Sequence, residues 1–518
     1  MCGWLMWGLL LLGIGCQKSP TSAVSTKSQT RLEASTADVA RFCGACHVTP
    51  QPETFPRALW RKEVEFGYRQ YLEAGRFDLE PPVQEQVVAW FEARAPQILS
   101  WDEQRHVSLA HQPSSLIFSL EHWQTPQPSP HAISRMCNDP KRPQVWYLCD
   151  MREGVIWSAD FTSSEHLVRP RWKIPHPCGM VPLPETEDAS AVWLVADLGS
   201  FLPEDHDRGR VWLVGEDPST AQPLVDGLGR VSHLLMADLT GQGFQEVIVS
   251  AFGWRKTGGL YLYRWEHPQR SLRQIAVLDH RPGALRAAVY DFDGDGRVEI
   301  VAAMAQQFES LELYRPDATG TYHRLTLYQA PDPAWGSSDF TLVDLDQDGR
   351  MDIVWTHGDS FDGGDLRPFH GIIWLRQQGI TQGGVPQFSA RRLAHMPGVH
   401  RTVAGDLDRD GDTDLAAVSL LPASILEQPG RPRLAAVVWL EQTELGVFVP
   451  HVLSWERCQH ATCELTDIEG DGWLDLLVGH FIWGTAQDTP VLTVYRSLGL
   501  SADGQRVRNG QGAVVEGE

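Results

Sequence analysis

The sequence lacks most of the features that would assign it at once. No apolar run is long enough for a bilayer, which takes roughly 20 residues; the candidate, Trp4 to Gly15, is about a dozen. No Lys/Arg cluster is present, and 66 acidic against 44 basic side chains give a formal net charge of −22. A nucleic-acid partner, which needs a basic face, is therefore excluded. G-x-S-x-G, H-E-x-x-H and a Gly-rich phosphate loop after a strand are all missing, so no familiar hydrolase or nucleotide-binding motif marks a catalytic centre. What is there is 42% apolar residues, 20 Trp, 46 Gly and 34 Pro in 518 residues. That suffices for a large core, with many turns and with aromatic residues that favour strands.

Residues 1–16 read as an export signal, and Leu12-Gly13-Ile14-Gly15-Cys16 is similar to a bacterial lipobox, in which the cysteine carries lipid after cleavage. Gly13 stands where such boxes usually carry Leu, and a plain cleaved signal is the alternative. Residues 17–35, rich in Ser, Thr, Lys and Gln, read as a flexible tether. The expectation is an exported chain in the periplasm or cell envelope, meeting a membrane only through a lipid on Cys16. Such a compartment is oxidising and rich in calcium.

Cys43-Gly44-Ala45-Cys46-His47 is a C-x-x-C-H motif. Two thiols at this spacing add across the vinyl groups at one edge of haem, and the adjacent His becomes an axial iron ligand. A Cys43–Cys46 disulfide or a zinc site with His47 is the alternative. Helical periodicity is expected over Ala37 to Phe42, Pro56 to Ala74 and Pro82 to Ala95. Helix, motif, helix and a closing aromatic-bearing helix resemble a minimal c-type cytochrome, which sets an all-α haem c domain at 36–98, followed by a linker at 99–114. Residues 48 to 110 contain no Met, so the second axial ligand is open among His106, His111, Tyr68, Tyr71 and a partner, with Met136 farther along.

The rest of the chain repeats. Asp291-Phe-Asp-Gly-Asp-Gly-Arg-Val-Glu299 recurs at Asp344–Asp352, Asp406–Asp414 and Asp467–Asp475, with starts 53, 62 and 61 residues apart. Each copy lies between two short apolar runs. Weaker copies lie at Asp238–Glu246, Ser134–Asp150 and Gly179–Asp197. Seven units of strand, loop, strand and two further strands predict a mainly β fold, a seven-bladed β-propeller over 115–498, with a tail at 499–518. The last repeat has no good fourth strand, so Leu116–Leu120 is expected to close the ring as the outer strand of the seventh blade.

In each complete loop, positions 1, 3, 5 and 9 are acidic: Asp291, Asp293, Asp295 and Glu299; Asp344, Asp346, Asp348 and Asp352; Asp406, Asp408, Asp410 and Asp414; Asp467, Glu469, Asp471 and Asp475. Oxygen-only ligands around a Gly at position 6 suit Ca²⁺. Position 12 is Ala302, Trp355, Ala417 or Val478, so these are not EF-hands, which need a Glu there. Position 7 is free in type because its backbone carbonyl is the expected ligand. The solvated Asp/Gly turn is the alternative. These units resemble FG-GAP (VCBS) repeats of integrin-alpha-like propellers, and the whole chain resembles exported bacterial proteins that join a c-type haem segment to such a propeller. The resemblance implies calcium at the positions just named and fixes no substrate.

Five residues before each loop start stand Ser134, His233, Arg286, Asp339, Arg401 and Thr462, with His400 alongside. They are expected to ring the mouth of the central channel, the default binding site. Cys137, Cys149, Cys178, Cys458 and Cys463 are candidates for disulfides, with pairing open. Three functions fit. The first is an envelope haem protein for electron transfer and docking, with an unknown redox partner or surface ligand. The second is a calcium-dependent adhesion protein without functional haem. The third is a periplasmic oxidoreductase with its site at the channel mouth; whether the chain is an enzyme stays open.

Overall fold

The computed structural model describes residues 33–100, 106–184, 192–361, 366–484, 489–500 and 514–516. The signal, the lipobox and the tether up to residue 32 lie outside them. Seven antiparallel sheets follow one another around a ring. Their inner strands are Ile133–Asp139, Pro177–Pro182, Val231–Ala237, Ala284–Tyr290, Ser337–Val343, Val399–Gly405 and Thr462–Thr466. Each packs against the next, and the last against the first, which closes a seven-bladed propeller. The seventh blade takes its outer strand from the other end of the chain: Leu116–Trp123 pairs antiparallel with Leu492–Leu500, as its apolar pattern predicts, and Val514–Glu516 pairs parallel beyond it. Closure leaves few free sheet edges, the main hazard of an all-β chain.

The blades are built from two sequence periods. Second strands such as Glu299–Met304, Asp352–His357 and Asp414–Ser419 are buried along their whole length. They read as unbroken apolar runs because neighbouring blades cover both faces. Inner strands alternate instead. Met136, Met180, Leu234, Ala287, Phe340 and Cys463 are buried between sheets, while Cys137, Leu235, Ala288 and Thr341 stay partly exposed along the axis. Trp193, Trp355 and Trp439 are fully buried between blades; truncating one to Ala would cost about 3–5 kcal/mol.

Six of the inner strands share a β-bulge one residue after the strand begins. In five of them the bulged residue turns sideways and ties its blade to the next; in blade 4 it is Leu285, which packs against apolar side chains instead. Ser134 donates to the Pro177 carbonyl, Cys178 to Val231, Ser232 to Ala284, Ser338 to Val399 and His400 Nδ1 to Ala461, at 2.9–3.2 Å. A bulge frees backbone groups and aims one side chain off the pleat; here that side chain is a blade-to-blade stitch. Ser134 and His400 therefore do not line the channel, contrary to expectation. The hairpin of blade 1 turns tightly at Asp139–Arg142 with a second register shift, so counting back from Asp139 lands on the bulge and Arg135 takes the channel position. Thr462 takes the channel position of blade 7, paired with Gly479 as Arg401 is with Val418, and its hydroxyl is buried without a hydrogen-bond partner.

The helices near the amino end are Thr36–Cys43, Trp60–Glu73 and Gln84–Arg94, the second preceded by 3₁₀ turns at Pro52–Thr54 and Arg57–Leu59. Ser35 caps the first by accepting the Asp38 N–H at 3.1 Å. Trp60 stacks on Phe91 with ring centroids 3.9 Å apart, at the centre of a small core with Val39, Val64, Val87 and Val88. This segment sits on the propeller. The Gln51 N–H and the Thr54 hydroxyl both donate to Asp332 Oδ2 at 2.7 Å, and Arg367 lies 5.4 Å over the Phe55 ring. Asp332 and Arg367 belong to connections on the side of the ring away from the acidic loops. Among the described residues no helix is long and apolar enough to cross a membrane.

Candidate functional site

The four complete acidic loops are held by their own backbone. Position 1 organises the turn: Asp291 accepts the N–H groups of Gly294, Asp295 and Gly296, and Asp467 those of Gly470, Asp471 and Gly472, at 2.7–3.1 Å. Position 9 closes it by accepting the N–H of position 2. Phe292, Leu345, Leu407 and Ile468 donate to Glu299, Asp352, Asp414 and Asp475 at 2.9–3.3 Å. In blades 5, 6 and 7 the other oxygen of position 9 accepts from the third strand, from Gln377, Gln442 and Ser497. Gly296, Gly349, Gly411 and Gly472 at position 6 have φ of 83–99°, a turn that a side chain would strain. The incomplete loop of blade 3 keeps the frame, with Asp238 and Glu246 in the same two roles.

Positions 3 and 5 are the carboxylates this framework leaves over. Carboxylate oxygens of Asp291, Asp293 and Asp295 lie within 4.8 Å of one another, as do those of Asp344, Asp346 and Asp348, and those of Asp406, Asp408 and Asp414. The blade 7 loop, with Glu469 and Asp471 at these positions, does not form such a cluster among the described residues. Asp410, expected beside Asp408, lies outside the blade 6 cluster, which recruits Asp414 instead.

What stands across the sheet from each loop differs. Arg315 pairs with Asp293 and lies 3.4 Å from Glu299; Arg376 pairs with Asp346 and lies 3.4 Å from Asp348. Arg496 pairs with Glu469 and lies 3.7 Å from Asp475, and in blade 3 Arg264 holds Glu246 at 2.9 Å. In blade 6 the same strand position is Glu441, which bonds His451 at 2.6 Å. Burial and neighbouring carboxylates push Asp408 and Asp412 up to about 6 and Asp414 up to about 7. Burial also raises Asp352 to about 6 and Asp475 to about 7. Burial is the first cause in each, and in Asp475 it prevails although Arg496 lies 3.7 Å away.

The C-x-x-C-H motif leaves the end of the first helix. Among the described residues no disulfide forms: Cys43, Cys46, Cys137, Cys149, Cys178, Cys458 and Cys463 all carry free thiols. Nor do Cys43, Cys46 and His47 converge as a metal-ligand cluster. His47 Nδ1 lies 2.7 Å from the Val48 carbonyl. A carbonyl can only accept, so Nδ1 carries a proton, and in the neutral ring the lone pair is then on Nε2. Phe42 meets Tyr68 and Tyr71 at centroid distances of 4.8 and 5.0 Å beside the motif. Apolar side chains on this segment remain exposed, Phe77 at 86% and Leu72 at 65%. The expected second ligands are engaged elsewhere. Tyr68 and Tyr71 donate to the carbonyls of Pro82 and Leu79, and His111 accepts the Val452 N–H at 3.0 Å. His106 is buried in a bridge to His395, and Met136 is buried between blades.

The channel holds a charged cluster. Arg286 and Arg401 both bond Asp339, at 2.9 and 2.6 Å, and Arg401 also reaches Glu464 at 2.6 Å. Arg135 approaches Asp339 from the far side of the ring at 3.7 Å. The three guanidinium groups hold the Asp339 carboxyl well below the usual range despite its burial. His233, Arg286, Asp339 and Arg401 occupy the channel as the sequence suggested; Arg135 and Glu464 were missed.

The family model described as FG-GAP-like repeat matches residues 291–355, the acidic loops of blades 4 and 5. The chain thus carries an FG-GAP-like repeat within a seven-bladed propeller. Among solved structures it is similar to one described as "Structure of Dos1 propeller", at 11% identity and a TM-score of 0.40, covering 74% of this chain and 82% of that one. No curated protein matches the chain.

Proposed function

We propose that this chain is an exported docking platform: a propeller braced by Ca²⁺ that carries a covalently attached haem c on its helical segment and passes electrons to or from a bound partner. A propeller with FG-GAP repeats fits docking. The observation that carries the haem reading is the state of His47, whose Nδ1 is tied to a backbone carbonyl so that Nε2 is left to ligate. Cys43 and Cys46 would hold the porphyrin edge, and the two thiols are free rather than bonded to each other. Haem c, when attached, supplies one-electron chemistry. The exposed Phe77 and Leu72 and the Phe42–Tyr68–Tyr71 group supply apolar surface of the kind a macrocycle covers. With the candidate second ligands engaged, a haem held by Cys43, Cys46 and His47 would have to take any further iron ligand from a small molecule or a partner side chain.

Calcium enters through the carboxylates at positions 1, 3 and 5, with Asp414 in blade 6. The loops are preformed by backbone hydrogen bonds, so little ordering accompanies binding and the gain is mainly charge neutralisation. The test of the haem reading is the absorption spectrum of the full chain matured in the periplasm, oxidised and reduced, with its pyridine haemochrome. A Soret band and a c-type haemochrome are expected; a colourless protein from a maturation-competent host overturns it, and leaves a docking platform without redox chemistry. An enzymatic role at the channel would show as substrate-dependent haem reduction abolished by Arg286→Ala and by His233→Ala.

A further inference from the structure

One end of the channel is covered by aromatic side chains. On the face away from the acidic loops, Phe201 of blade 2, Phe361 of blade 5 and Phe481 and Trp483 of blade 7 meet over the axis. Phe201 and Trp483 lie 5.3 Å apart, and Phe361 and Trp483 4.8 Å apart. Residues from three well-separated blades touch only by crossing the mouth. Arg152 locks the group, lying 5.5 Å over Phe201 and donating to the Ile482 carbonyl at 2.7 Å.

Beneath this cap lies the first ring of axial side chains, in blade order Arg135, Gly179, His233, Arg286, Asp339, Arg401 and Thr462. Two features stand out. Positive charge exceeds negative: three guanidinium groups face the carboxylates of Asp339 and Glu464. Arg286 Nε is a buried donor with no hydrogen-bond acceptor, His233 Nδ1 is buried without a partner, and Arg135 meets Asp339 at a distance longer than a hydrogen bond. The ring is also one side chain short. A Cβ built on Gly179 would meet nothing nearer than the Ser232 carbonyl at 3.9 Å, although Gly179 itself is buried. The vacancy lies between Arg135 and His233. Cys137, Leu235, Ala288 and Thr341, all partly exposed, lead from it toward the acidic-loop face.

Donors left over in a ring with excess positive charge need acceptors, and a guanidinium fork matches the paired oxygens of an oxyanion. We propose that the axial space over Gly179, between Arg135 and His233, binds the oxyanion head of a small molecule, a carboxylate or a tetrahedral oxyanion, entering from the acidic-loop face. A single negative charge there neutralises the cluster. Burial together with the neighbouring Arg401 and Arg286 already lowers Arg135 to about 10, the direction expected of a guanidinium short of counter-charge. This site is independent of haem.

The test is isothermal titration of the full chain, in calcium, with sodium acetate and with sodium sulfate, using sodium chloride as control. Saturable binding of acetate or sulfate is expected, and which of the two binds identifies the head group. Arg135→Gln should weaken it about tenfold or more, the loss of one charge-assisted hydrogen bond. Gly179→Leu removes no charge and fills the vacancy, so it should abolish binding while leaving the melting temperature unchanged. Neither anion binding saturably, or binding that survives Gly179→Leu, would overturn the proposal.

Discussion

Blades 5 and 6 carry nearly the same acidic loop and differ in what faces it. Their framework bonds superimpose residue for residue: Leu345 and Leu407 close the two loops, and Gln377 and Gln442 tie them to the third strand. Across the sheet, however, blade 5 presents Arg376 and blade 6 presents Glu441. Blade 6 also adds a fifth carboxylate, Asp412. The comparison separates two properties that the repeat motif merges. Loop shape comes from backbone donors to positions 1 and 9 and is common to all the acidic loops. Counter-charge is private to each blade: it comes from the third-strand residue facing the loop and, in blades 4 and 5, also from Arg297 and Arg350 at position 7, where blade 6 has Asp412. Arginine partly supplies it in blades 3, 4, 5 and 7; blade 6 has none facing its loop, so the proposed Ca²⁺ would meet the demand there.

The largest effect expected is that of chelation. If the loops hold Ca²⁺ at a concentration about 100-fold above Kd, EDTA should remove about 3 kcal/mol of stability per site, read as a fall in melting temperature. An EDTA-insensitive melt breaks the account. Next in size, Glu441→Arg gives blade 6 the counter-charge its neighbours have, and should shrink the EDTA-induced loss by about 1–2 kcal/mol. The converse change, Arg376→Gln, should make blade 5 more dependent on calcium. With Arg376 partly solvent-exposed, the shift is about 0.5–1 kcal/mol, seen as a lower melting temperature in EDTA and a smaller difference in calcium.

The smallest effect is on pH. Asp414 has a raised pKa of about 7 against an ordinary value of 3.8. At this residue the metal-free folded state therefore binds more protons than the unfolded chain, so its own contribution to stability is full below about pH 4 and is lost as pH rises through about 7. Melting in EDTA should fall across that window, more gently for Glu441→Arg, and calcium should flatten the curve.

The sequence made the propeller legible because the repeat announces itself twice, in the acidic loops and in the apolar runs around them. Leu116–Leu120 could be placed in blade 7 because only that blade lacked an outer strand. The channel was read less well. A fixed count back from each loop finds His233, Arg286, Asp339 and Arg401, whose hairpins share one bulge and one loop length. It fails at Ser134, where the tight turn at Asp139–Arg142 shifts the frame by one residue. The facing arginines were not legible at all. Arg315, Arg376 and Arg496 follow position 9 of their loops by different distances, because the connection between second and third strands varies in length. Nor was the docking of the helical segment through Asp332, which joins residues 278 and 281 positions apart.

The most direct measurement is a calorimetric calcium titration of the metal-free full chain beside its Glu441→Arg variant. The parent protein should show a tightest site that weakens in the variant while the remaining sites persist. Absence of calcium binding, or a tightest site indifferent to Glu441→Arg, would contradict it.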